Sequence, residues 1–127
     1  MGAHRAVSST DKDAIKKLAR SLDFVLVTVN VALDWPAYLA TLKPKGKLHF
    51  VGAVTEPLGF APNLLLSQKS LSGTPLGSPA TTAQMLEFCA RHQIAPITET
   101  FPMTQVNEAL EHLRAGKARY RVILKNP

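Results

Sequence analysis

Apolar residues along this chain recur with two alternating periods, and the sharpest signal is the run DFVLVTV at positions 23–29. It is apolar on both faces, as a strand in the interior of a parallel sheet must be. Ahead of it, HRAVSS (4–9) reads as a short strand. STDKDAIKKLARS (9–21) reads as a helix capped by Ser9 or Thr10, with Ala14, Ile15, Leu18 and Ala19 inward and Lys12, Lys16, Lys17 and Arg20 outward. LDWPAYLATL (33–42) predicts a helix that tolerates Pro36 in its first turn, KPKG (43–46) a turn, and KLHFVGA (47–53) a second strand. Beyond these come a short helix in PNLLLSQ (62–68), a strand in SLSGTPLG (70–77) and a helix in SPATTAQMLEFCARHQ (78–93) capped by Ser78. A strand in APITETF (95–101), a helix in TQVNEALEHLRAG (104–116) capped by Thr104 and closed by Gly116, and a strand in ARYRVIL (118–124) complete the pattern. Strands and helices alternating in this way predict an α/β fold with an open sheet and right-handed crossovers.

Composition narrows the function. A chain of 127 residues suits one domain with a core of its own. Cys89 is the one cysteine, no stretch reaches the ~20 apolar residues of a membrane helix, and no leader pattern opens the chain, so a cytoplasmic protein without a membrane partner is expected. A net charge of +6 points to an anionic partner, but aromatics at 6% argue against base stacking, and nucleic acid is not among the partners expected. Cys89 and His92 sit one helical turn apart while His4, His49 and His112 are scattered. Two ligands on one helix do not close a metal site, and packing is the expected role of Cys89. Neither G-x-S-x-G nor G-x-G-x-x-G occurs; GTPLGS (73–78) is the nearest approach, and by composition it is a turn.

Taken in order, GAHRAVSSTD, LDFVLVTVN, YLATLKPKGKLHFVGA, SLSGTPLGS, MLEFCARHQI and QVNEALEHLRAGKARYRVIL resemble the C-terminal part of zinc-dependent, medium-chain alcohol dehydrogenases, in particular the cinnamyl-alcohol-dehydrogenase-like branch. The resemblance implies a partial Rossmann-type parallel sheet with flanking helices. Residues 1–94 would be part of the nucleotide-binding domain, and 95–127 the segment that packs on the catalytic domain. Met1 would lie inside a longer ancestral chain. The zinc ligands, proton relay and glycine-rich phosphate turn of the family belong upstream, so no catalytic residue and no metal ligand is carried over, and the isolated chain is expected to be inactive. The implied cofactor is NADP or NAD, with zinc in the family but not in this chain.

Cofactor contacts carried over by the resemblance are Thr28 and Val29 at the end of one strand, Val51, Gly52 and Ala53 at the end of the next, Thr74 and Leu76 beside the nicotinamide carboxamide, and Arg121 on the pyrophosphate. Val54 replaces a common proline, and Pro75 removes a backbone donor. In the family's strand order two absent strands would separate HRAVSS from DFVLVTV, a gap of roughly 14 Å at ~4.8 Å per strand. DFVLVTV would then present an apolar edge unless HRAVSS or another chain covers it. A homodimer is therefore expected, paired through that edge or the PLGFAP segment (57–62). The alternative function is a self-association or partner-binding module.

Overall fold

A computed structural model describes residues 2–126, which divide into two compact units, one running up to Gly77 and one starting at Ser78. The first contains α1 (Lys12–Lys16), β1 (Leu22–Val27), α2 (Trp35–Thr41), β2 (Leu42–Phe50) and β3 (Ser70–Gly73). Its three strands form a parallel sheet in the order β1-β2-β3, the sequential arrangement that right-handed crossovers produce. Val25 and Val27 lie opposite Leu48 and Phe50, and this face packs with α2. Val27, Trp35, Leu39, Leu42 and Leu48 are its buried centre, with Leu22, Val25, Phe50 and Leu71 packed around them. Asp34 caps α2 by accepting from Ala37 N at 3.2 Å, and Pro36 takes an early position where no backbone donor is needed.

The second unit contains α3 (Pro79–Arg91), β4 (Thr98–Pro102), α4 (Val106–Arg114) and β5 (Arg121–Lys125). β4 and β5 form a parallel pair joined through α4, whose Ala109 is buried. Ser78 caps α3 as expected, accepting from Thr81 N at 3.1 Å. Gly116 has φ +66 at the end of α4, a conformation that favours glycine at a helix C-terminus. The parallel sheets with flanking helices are the α/β architecture expected.

Four local expectations are corrected. HRAVSS forms no strand, because it joins no ladder, and an extended segment without ladder partners has nothing to hold it. β1 consequently sits at the edge of its sheet, with Phe24 and Leu26 about half exposed on the face away from α2. The first helix is only five residues long and its cap is Asp11, which accepts from Ala14 N at 2.9 Å, rather than Ser9 or Thr10. KPKG does not end an element but bulges out of β2: Leu22 pairs with Leu42 and Phe24 with Lys47, so the intervening residues loop out with Lys45 at φ 65. Thr104 is not the cap of α4; it lies in a 3-10 turn over Met103–Gln105, and Gln105 takes the cap position without a side-chain bond.

Candidate cofactor-binding edge

Because β1, β2 and β3 are parallel, their carboxyl ends open on one rim, the edge at which open α/β sheets bind ligands. Thr28 and Val29 follow β1, Val51, Gly52 and Ala53 follow β2, and Thr74, Pro75 and Leu76 follow β3, so the structure gathers seven of the eight candidate residues on that rim. Arg121 opens β5 in the second unit. Two shallow depressions lie at the end of β2. One of about 220 Å³ is lined by Phe50, Val51, Gly52, Ala53, Gly73, Thr74 and Pro75, and one of about 230 Å³ by Phe50, Gly52, Ala53, Val54, Glu56 and Leu58.

The rim's backbone groups are partly committed. Val51 N and Gly52 N both donate to Val27 O, at 2.9 and 3.1 Å, and Thr74 N donates to Phe50 O at 2.9 Å. Thr74 therefore offers a ligand its carbonyl and hydroxyl rather than its N–H, while Pro75 has no donor to offer. Gly52 has a role the sequence did not disclose. A Cβ placed on it would overlap the Val29 carbonyl oxygen and lie 2.7 Å from the carbon of that carbonyl, so the glycine permits the ends of β1 and β2 to close on each other. Leu76, 84% exposed, and the half-exposed Val29 and Val51 put apolar surface on the rim without burying it. This is a ledge on which a planar ring could lie, with carbonyl acceptors beside it. The residues fit the nicotinamide end of a dinucleotide.

They do not fit zinc. Among the described residues no group of three or more His, Cys, Asp or Glu side chains is placed to hold a metal. On α3 the Cys89 thiol donates to Met85 Sδ at 3.6 Å and the His92 ring packs against Phe88 at 4.3 Å. Both residues of the candidate pair are thus engaged in packing along the helix.

Two polar arrangements have no motif behind them. On the open face of the first sheet His49 Nδ1 lies 2.8 Å from Ser72 Oγ and the ring stacks on Phe24. In the second unit Glu99 accepts from the backbone N–H of Arg119 and from His112 Nε2, the latter at 2.7 Å. The Arg119 N–H first, and then the His112 bond and charge, hold the Glu99 carboxyl below the usual range, although desolvation opposes them. Only the pairing register of β3 beside β2 and the packing of α4 on β4 bring these partners together, so residue spacing carries no sign of them.

Comparison with known proteins matches residues 1–91 to the zinc-binding dehydrogenase family. The chain belongs to that family. It is 48% identical to an aldehyde reductase, AdhA, of Synechocystis, over 99% of this chain and 38% of the relative. A cinnamyl alcohol dehydrogenase of Sorghum bicolor has a similar structure, with a TM-score of 0.84 and 32% identity over 97% of this chain and 35% of that one. The CAD of Helicobacter pylori complexed with NADP(H) shares the fold, with a TM-score of 0.68 and 24% identity over 87% of this chain and 33% of that one. The chain thus spans about a third of the length of these relatives. No helix among the described residues is long and apolar enough to cross a membrane.

Proposed function

We propose that the chain supplies the nicotinamide side of the cofactor fold of an NAD(P)-dependent alcohol or aldehyde oxidoreductase and is incomplete as a catalyst by itself. The observation that carries this reading is the convergence of Thr28, Val29, Val51, Gly52, Ala53, Thr74 and Leu76 on one carboxyl rim. On this reading the Val51–Ala53 turn and the Thr74 carbonyl would hold the nicotinamide end of the cofactor. Arg121, which the resemblance gives as a pyrophosphate contact, stands on β5 of the second unit. Residues 1–94 act as the cofactor part and 95–127 as the segment that packs on a catalytic domain, in a cytoplasmic protein. The bound dinucleotide supplies or accepts the hydride. The chain's own residues orient the ring and shield one of its faces from water.

No three-ligand metal site can be built from Cys89, His92 and the scattered histidines, so the purified chain is expected to retain no stoichiometric zinc and to reduce no aldehyde with NADH or NADPH. Metal analysis and a spectrophotometric assay at 340 nm check this together. One tightly held zinc per chain with turnover would refute it.

The open edge of β1 favours a second role, self-association through sheet edges. A dimer is the expected species in light scattering; Phe60 of PLGFAP packs against the core cluster of the first unit, so Phe60→Lys is expected to cost stability as well as association. A monomer at high concentration with rapid amide exchange over residues 22–27 would contradict pairing of that edge.

A further inference from the structure

We propose that the amino-terminal rim of the three-stranded sheet, opposite the cofactor edge, binds a chain of closely spaced phosphoryl groups, with inorganic polyphosphate the source its surface fits best. Three backbone hydrogen bonds and one from a lysine side chain assemble this rim. Arg20 N donates to Ala40 O at 2.9 Å and Ser21 N to Thr41 O at 2.9 Å, Lys45 N donates to Ser67 O at 3.1 Å, and Lys69 Nζ donates to Leu39 O at 2.6 Å. Arg20 before β1, Lys43 and Lys45 in the bulge of β2, and Lys69 before β3 are thereby ranged across adjacent strands, ~4.8 Å apart at each step.

Negative charge is scarce there. Asp23 is paired with Lys43 at 2.8 Å, and among the described residues Arg20, Lys45 and Lys69 form no ion pair. The last carbonyls of α2 would repel an anion, but Lys69 Nζ and the N–H groups of Arg20 and Ser21 already occupy them. Burial first, and then the charge of Arg20, lower the Lys69 pKa. Backbone conformation marks the same rim. Arg20, Lys45 and Gln68 have φ of 52, 65 and 61, three of the four non-glycine residues in the left-handed region among those described. Such conformations carry a cost and tend to cluster at functional sites.

A flexible phosphate chain suits the rim better than a nucleic acid does. α1 is five residues long and α2 buries Trp35, Leu39 and Thr41, so neither presents a helix to a groove. Phe24, the aromatic nearest the start of β1, is already stacked on His49. Binding would rest on charge alone and should fall steeply with salt.

The test uses the whole chain with short-chain polyphosphate and, as a second arm, a DNA duplex at equal phosphate concentration. Arg20→Gly with Lys45→Gly removes two charges at positions whose φ suits glycine, so the fold should be kept. Lys117→Gln with Lys125→Gln removes the same charge from the second unit. Expected are polyphosphate binding at low salt that the rim variant weakens roughly tenfold, a shallower salt dependence in that variant, and little change in the control variant. Amide shifts in the unmodified chain should centre on Arg20, Lys45 and Lys69, which keeps the proposal testable if the variant fails to fold. Equal loss in both variants, shifts centred elsewhere, tighter binding of the duplex, or no binding at low salt would each overturn it.

Discussion

Val27→Asp should unfold the first unit, whereas Leu26→Asp, one residue earlier on the same strand, should leave it folded. Val27 is 5% exposed and packs in the cluster with Trp35, Leu39, Leu42 and Leu48, while Leu26 is 52% exposed on the opposite face. A carboxylate at position 27 would have to ionise among aliphatic and aromatic side chains or shift its pKa far upward, and either course costs several kcal/mol, about the whole stability of a small domain. Val27 also carries the carbonyl that accepts from both Val51 and Gly52, so loss of the strand end dismantles the candidate cofactor rim with it. At Leu26 the charge remains hydrated, and the effect should be within about 1 kcal/mol. Circular dichroism together with emission from Trp35, the one tryptophan, distinguishes the two variants. Equal loss of structure in both would mean that the two faces of β1 are not as unlike as described.

The second large effect is expected at Gly52. Valine there would drive its Cβ into the Val29 carbonyl, and that obstacle is backbone, not the movable end of a side chain. The ends of β1 and β2 must then separate, at a cost of about 3 kcal/mol by analogy with overpacked cores. Because Val29, Val51 and Ala53 share this junction, the variant should lose its response to nicotinamide ligands even where it remains folded. Ala53→Val, on the same rim but exposed, should be nearly neutral for stability. Thermal melts of the two variants and their ligand titrations check the prediction. A Gly52→Val protein as stable as the parent would show that this close approach is not needed.

The alternation of periods was sufficient to find β1, α2, β3, α3, β4, α4 and β5, because each has a local cause within its own residues. Ser78 followed by Pro79 starts α3 wherever it is placed, and Gly116 ends α4 by its freedom at positive φ. What the sequence concealed depends on partners. HRAVSS has strand composition, but a strand is completed only by a neighbour, and none pairs with it. KPKG has turn composition, yet pairing resumes at Lys47 and the turn becomes a bulge inside β2. The candidate cofactor rim was legible only through family resemblance, since Thr28, Val29, Val51 and Ala53 are ordinary residues at the ends of strands. The second reason for Gly52, the approach of Val29, needed coordinates.

An amide-resolved NMR titration with nicotinamide mononucleotide and NADPH asks whether the rim of the first unit takes the nicotinamide end of a dinucleotide and leaves its phosphates unbound, as proposed. The expected result is affinity of ~1 mM, about −4 kcal/mol, for both ligands, with shifts concentrated at Thr28, Val29, Val51, Gly52, Ala53, Thr74 and Leu76. Micromolar affinity for NADPH would show that a complete phosphate site is present. Shifts that bypass these residues, or no response to either ligand at tens of millimolar, would contradict the placement of the nicotinamide on this rim.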